Sequence, residues 1–178
     1  MIDPKDNKTI GYHIFILPTG KLFNILQETI NELAEKYQGP FFEPHLTLLG
    51  RIPNSSEAEL IQKTKVLANA LRSFEISLAN IQTEDMYFRS FYYTTRESEE
   101  LKSAHKKALD LFGMQDEREY IPHVSLYYGN IQQSVKDEMR SSLLLPNKPT
   151  FFAETVYLYK TNGEPKNWVR VGAYPLGE

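Results

Sequence analysis

One seven-residue pattern occurs twice in the chain. Phe42-Glu43-Pro44-His45-Leu46-Thr47-Leu48 returns as Tyr120-Ile121-Pro122-His123-Val124-Ser125-Leu126, and both read aromatic-x-Pro-His-aliphatic-hydroxyl-leucine. A glycine follows each copy, Gly50 and Gly129. Self-similarity of this kind points to a duplicated structural unit, and it restricts the available folds more than any bulk property does.

The elements around the two copies correspond. Tyr12 to Leu17 reads as a strand that Pro18 ends, because proline has no N–H for the ladder. Leu22, Leu26, Ile30, Leu33 and Tyr37 then recur at helical spacing until Gly39-Pro40. After the first Pro-His strand, Ser56 and Glu59 have capping-box spacing ahead of a helix whose stripe includes Leu60, Thr64, Leu67 and Leu71. Phe74, Ile76 and Leu78 alternate as a strand. The second half repeats the order. An aromatic-rich strand over 86–94 leads to a helix carrying Leu101, Ala104, Ala108 and Leu111, closed by Gly113. The second Pro-His strand follows, then a short helix begun by Ser134 and Asp137 and ended by Pro146. Thr155 to Lys160 is a closing strand, and Trp168 to Ala173 adds another.

This order predicts a bilobal α+β fold: one domain over 1–178, made of two pseudo-twofold-related lobes, about 10–82 and 84–160, with the closing strand about 167–173. Each lobe is expected to be an antiparallel sheet with helices on its outer face. The inner faces then form a cleft lined by one Pro-His strand from each half.

Alternation along those strands gives the site its chemistry. Residues two apart share a face, so His45 and Thr47 point one way while Leu46 and Leu48 serve the core. His123 and Ser125 do the same, with Val124 and Leu126 behind them. Two imidazoles and two hydroxyls facing one cleft suit phosphodiester hydrolysis. One neutral ring takes a proton from water, and one protonated ring protonates the departing oxygen. The hydroxyls donate to the non-bridging oxygens, where charge accumulates.

Other chemistries find less support. The chain has no cysteine, which removes thiol nucleophiles, disulfides and Cys-rich zinc sites. There is no His-Glu-x-x-His pattern, and His-x-Thr supplies one good metal ligand, so no metal and no cofactor are expected. No Gly-x-Ser-x-Gly elbow or phosphate-cradling glycine loop is present. The net charge of -3 argues against a long nucleic-acid partner and leaves a small anionic ligand open. No segment has the apolar length of a membrane span, and the N-terminus lacks a signal-peptide pattern, so a cytoplasmic protein without membrane attachment is expected. A monomer is expected as well, although nothing in the sequence fixes the oligomeric state. The remaining histidines lack a repeated hydroxyl partner. His13 is expected to pack or face solvent, and His105, among lysines, to be solvated or at a boundary. Asp116 to Glu119 reads as a polar loop.

The paired Pro-His-x-Thr/Ser segments resemble the 2H phosphoesterase superfamily, and within it the plant and yeast type of cyclic nucleotide phosphodiesterase. Tyr12 to Pro18 is similar to that family's opening strand, with Phe15 where a tryptophan is common. Tyr87-Phe88-Arg89 falls in its aromatic strand, and Lys160-Thr161 with Trp168 in its closing segment. The resemblance implies His45 and His123 as the acid–base pair, and Thr47, Ser125 and Tyr128 as phosphate ligands. It also implies that Phe88 and Trp168 stack on a base or ring. Arg89 departs from the uncharged polar residue expected there, and reads either as a contact to a second phosphate or as a surface residue. The implied substrate is a nucleoside 2′,3′-cyclic phosphate or ADP-ribose 1″,2″-cyclic phosphate, as in the by-product pathway of tRNA splicing. An RNA-end processor of the RNA cyclic phosphodiesterase or 2′-5′ RNA ligase type is the enzymatic alternative. A catalytically silent nucleotide-binding module is the non-enzymatic one.

Overall fold

The computed structural model describes residues 6–116 and 119–177. Strand β1 (Tyr12–Ile16) leads to helix α1 (Gly20–Tyr37), β2 (Leu46–Ile52), α2 (Glu57–Ala70) and β3 (Phe74–Thr83). The second series is β4 (Phe91–Thr95), α3 (Glu99–Phe112), β5 (His123–Tyr127), α4 (Gln133–Ser142), β6 (Thr150–Ala153), β7 (Thr155–Lys160) and β8 (Val169–Pro175). The eight strands form one sheet in the order β6-β3-β4-β5-β2-β1-β7-β8, antiparallel throughout. Among the described residues, no helix is long and apolar enough to cross a membrane.

The pseudo-twofold plan holds, with its centre between β2 and β5. Outward from that seam, each motif strand is followed by the strand that precedes its helix, β1 on one side and β4 on the other. The next strand in each direction comes from the opposite half of the chain: β7 pairs with β1, and β3 pairs with β4. The two sides of the sheet therefore do not coincide with chain segments 10–82 and 84–160. They are joined because each half lends a strand to the other. Between β2 and β5 the ladder consists of one pair, Leu46↔Val124.

Alternation divides the side chains as period two requires. Tyr12, Ile14 and Ile16 enter the main core with Leu26 and Ile30 of α1, whereas Phe15 and Leu17 lie with Tyr159 in a second cluster. Leu46, Leu48, Val124 and Leu126 are fully buried. Helix α1 ends on Gln38 in the left-handed region (φ 57°), and the Gly39 N–H donates to the Ala34 carbonyl at 3.0 Å. Gly39 is needed for another reason: a Cβ there would lie 2.4 Å from the Tyr127 ring. That ring also presses on Gly129, and its hydroxyl donates to the Tyr37 carbonyl at 2.9 Å.

Several local expectations need correction. Ser56 occupies the N-cap position of α2 but makes no capping bond, and Glu59 pairs with Lys63 instead, at 3.0 Å. Ser98 is the capping serine, accepting from the Leu101 N–H at 3.2 Å. The strand expected over 86–94 begins as a 3-10 turn, Tyr87–Arg89, and becomes extended only at Phe91. Helix α4 stops at Ser142, ahead of Pro146, because Leu143 is already extended. Strand β6 pairs along the outer edge of β3 and has no counterpart among the expected elements.

Candidate active site

The single pair Leu46↔Val124 fixes the site. Extending that antiparallel register by one residue each way sets His45 opposite Ser125 and Thr47 opposite His123, all on the face away from the two apolar residues. The repeated sequence thus becomes a two-by-two array of imidazoles and hydroxyls.

Both rings are held in the same tautomer. His45 Nδ1 lies 2.6 Å from the carbonyl oxygen of Glu43, and His123 Nδ1 lies 2.8 Å from that of Ile121. A carbonyl only accepts, so Nδ1 carries the proton in each ring and Nε2 carries the lone pair. The proline between the two residues explains the spacing, since it holds the preceding residue extended and directs its carbonyl back to the ring.

The surroundings of the two rings differ. His45 is buried and stacks on Phe15, with centroids 3.9 Å apart, and Phe42 and Trp168 present edges at 6.2 and 5.9 Å. Burial pushes its pKa down to about 4; the Glu43 carbonyl opposes this shift and the charge of His123 adds to it. His123 has the edge of Tyr92 at 5.3 Å. Its pKa is also pushed down to about 4, first by burial, against the Ile121 carbonyl, with Arg89 lowering it and Glu84 raising it.

The hydroxyl groups are not equivalent. Thr47 is partly exposed, and its hydroxyl bonds none of the described residues. Ser125 is buried and donates to the Phe88 carbonyl at 3.0 Å. Tyr128, also buried, stacks on Phe42 at 3.9 Å and has its hydroxyl 3.3 Å from His45 Nε2. Because that nitrogen holds a lone pair, the tyrosine donates. Burial keeps the phenol well above its ordinary range, with Ser125 opposing and Tyr87 adding, so it remains a donor. Phe88, on the 3-10 turn, lies edge-on to Tyr128 at 5.2 Å and faces Trp168 at 6.0 Å. Trp168 is anchored by its indole N–H, which donates to Thr9 Oγ1 at 3.1 Å.

Two features around this array were not anticipated. A tyrosine–carboxylate–arginine group flanks each histidine. Tyr159 donates to Glu43, which Arg170 also bonds at 2.9 and 3.1 Å. Tyr92 donates to Glu84 at 2.6 Å, and Arg89 meets the same carboxylate at 2.6 and 2.9 Å. Arg89 is therefore an ion-pair partner at the rim of the His123 side, with 19% of its side chain exposed. The only sequence signal was the wealth of tyrosine in β4 and β7.

The second feature is reciprocal bracing. Phe42, the leading aromatic of the first motif, stacks on Tyr128, two residues beyond the second. Tyr120, the leading aromatic of the second, donates to the backbone oxygen of Thr47 in the first at 3.0 Å. His105 stacks flat on Tyr120 at 3.7 Å and bonds the Leu48 carbonyl at 2.7 Å through Nδ1, with Nε2 facing Asp116 at 3.0 Å. These side chains supply donors to β2 just where β5 no longer pairs with it. His105 is thus buried rather than solvated, a correction that the spacing Leu101, His105, Leu109 could have given. His13 has a packing role: Nδ1 lies 2.6 Å from Thr161 Oγ1, and Nε2 accepts from the Arg51 N–H at 3.3 Å. Replacing Tyr120 with phenylalanine leaves the Thr47 carbonyl without its donor. The expected cost is about 1–3 kcal/mol in urea unfolding, with weaker binding of inorganic phosphate. Unchanged values for both would remove Tyr120 from the bracing role.

Residues 11–172 match the family described as cyclic phosphodiesterase-like protein. The chain belongs to this family. Both motifs lie inside the matched span, and the 2H phosphoesterase assignment stands with them. Membership places the chain among phosphoesterases of phosphodiester or cyclic phosphate bonds. No curated protein gives a significant sequence match. Among solved structures, TT0787 of Thermus thermophilus superposes with a TM-score of 0.64 at 15% identity, covering 94% of this chain and 98% of its own. LigT of E. coli, solved with 3′-AMP, gives 0.62 at 16% identity over the same shares. A structure described as a phosphoesterase gives 0.64 at 15%, again over 94% and 98%. At these identities the likeness is one of fold, and it matches the curled eight-stranded antiparallel sheet. Among the described residues, no group of three or more His, Asp or Glu side chains is placed to hold a metal ion.

Proposed function

We propose that this protein opens a small cyclic phosphate, a nucleoside 2′,3′-cyclic phosphate or ADP-ribose 1″,2″-cyclic phosphate, to a monophosphate without a metal. The observation that carries the reading is the shared tautomer: two rings, on adjacent strands, each with Nδ1–H tied to a carbonyl and an unprotonated Nε2, that of His45 accepting from Tyr128. An anionic phosphate between them favours protonation of one ring. Water attacks phosphorus as the other Nε2 takes its proton, the bond from phosphorus to one ribose oxygen breaks, and the protonated ring gives its Nε2 proton to that oxygen. Thr47 donates to the non-bridging oxygens, and Tyr128 and Ser125 join it by turning from His45 Nε2 and from the Phe88 carbonyl. Phe88 and Trp168 face each other at 6.0 Å and suit a stacked base. LigT structures that hold 3′-AMP, NADP+ and ATP support a nucleotide-sized ligand. The net charge of -3 favours a small substrate over a long RNA.

Phosphorus NMR tests the reading. With EDTA present, the protein is offered 2′,3′-cyclic AMP, ADP-ribose 1″,2″-cyclic phosphate and an RNA ending in a cyclic phosphate. Conversion of a small cyclic phosphate to a monophosphate is expected. Turnover of the RNA alone would assign the protein to RNA-end processing, and binding without any turnover would make it a nucleotide-binding module.

A further inference from the structure

Helix α4 presents a polar face to the end of β3. Gln133, Lys136 and Arg140 lie at helical spacing on one side of it. Gln133 Nε2 donates to Thr83 Oγ1 at 3.3 Å, Arg140 to the Ile81 carbonyl at 3.3 Å, and Lys136 Nζ to the Glu84 carbonyl at 2.6 Å. Lys136 is buried, whereas the other two are exposed. Taking an ammonium out of water is unfavourable even when it is bonded, and a methionine would fill the same space without that penalty. Packing alone therefore does not call for a lysine here. The position calls for a donor aimed at Glu84.

Glu84 in turn holds the His123 side of the site. Its N–H donates to the Ser90 carbonyl at 3.3 Å, closing the loop that contains the 3-10 turn. Its carboxylate takes one bond from Tyr92 and two from Arg89. Burial works to raise the Glu84 pKa, but the bonds from Tyr92 and Arg89 prevail and hold it below its ordinary range, so the group is charged. Among the described residues, the charged and titratable groups around His123 are Glu84, Arg89, Tyr92 and, across the seam, His45. The same turn carries Phe88, whose carbonyl accepts from Ser125.

We propose that Lys136 is a positioning residue for His123: by fixing the Glu84 backbone, it sets where the Glu84–Arg89 pair stands against that ring. Its catalytic meaning rests on the proposed reaction, whereas the placement of the pair is measurable without turnover.

NMR of the whole protein, following each imidazole Cε1 signal against pH, reads the histidines separately. Burial, then Arg89, hold the His123 pKa down against a smaller pull from Glu84. In Lys136→Met the loop loses its hold, so the His123 midpoint should rise by about half a pH unit or more. His45 should not move. Lys136→Arg keeps a donor and should restore most of the wild-type value. Added to Glu84→Gln, where no ion pair is left to place, Lys136→Met should change His123 little further. Gln133→Ala combined with Arg140→Ala weakens the same helix face from exposed positions and should move His123 in the same direction. That pair decides the matter if Lys136→Met does not fold. In turnover, the fall of kcat/KM with pH should begin correspondingly higher in Lys136→Met. An unmoved His123 in these variants, or equal movement of His45 and His123, overturns the proposal. A displaced His123 in a protein that opens no cyclic phosphate upholds the positioning and rejects the reaction.

Discussion

Alanine at His45 or at His123 lowers turnover of the cyclic substrate more than ~100-fold, the usual scale for losing a general acid or base. The two losses should be alike because each ring is fixed in the same way, with Nδ1–H on the carbonyl two residues earlier. Neither can replace the other, since their Nε2 atoms approach the phosphate from different strands. The double variant should be little worse than either single one, as expected for groups that act in one step. Both variants should retain the wild-type circular dichroism spectrum, because the core is formed by Leu46, Leu48, Val124 and Leu126 on the other face. EDTA should leave wild-type turnover unchanged. Activity within a few-fold of wild type in either single variant would end the two-histidine mechanism.

The second large effect is a separation of two pH profiles. Without substrate, burial pushes both imidazoles down to about 4, so each loses its proton as pH rises through that value. The reaction needs one protonated ring and one bare ring. Above pH ~5 the singly protonated fraction of free protein falls about tenfold per unit, and kcat/KM, which reports the free protein, falls with it. In the complex the bound anion raises the pKa of one ring, so kcat should hold its value to a higher pH before declining. A cyclic diester keeps one negative charge across this range, so the substrate adds no titration. A kcat/KM that climbs between pH 5 and 8 would show that the free rings are not held neutral by burial.

Local periodicity made much of this molecule readable from its sequence. His45 with Thr47, and His123 with Ser125, follow from the two-residue repeat of a strand, and α1 and α3 from apolar spacing. Pairing across long separations was not readable in that way. Nothing local to 74–83 says that β3 will lie beside β4 and β6, because that choice depends on which edges are free after collapse. The 3-10 turn at Tyr87–Arg89 was hidden in an aromatic-rich stretch, broken only by Arg89 and Ser90, with no glycine or proline to mark it. Glu43 looked like the variable position of its motif, yet its carbonyl positions His45 and its carboxylate meets Tyr159 and Arg170. His105 misled for a different reason: Lys102, Lys106 and Lys107 suggest a wet helix, but they occupy the other faces of α3.

The reciprocal bracing has a consequence for how such a chain can change. Phe42 stacks against Tyr128, and Tyr120 holds the backbone of Thr47, so an altered aromatic in either copy is felt by the chemistry of the other. The duplicated segments are therefore not two spare parts, one free to drift while its twin keeps working. Divergence is cheap only at the rim, where Glu84 with Arg89 on one side and Glu43 with Arg170 on the other reach a similar arrangement from unrelated positions. The centre can be retuned only as a pair.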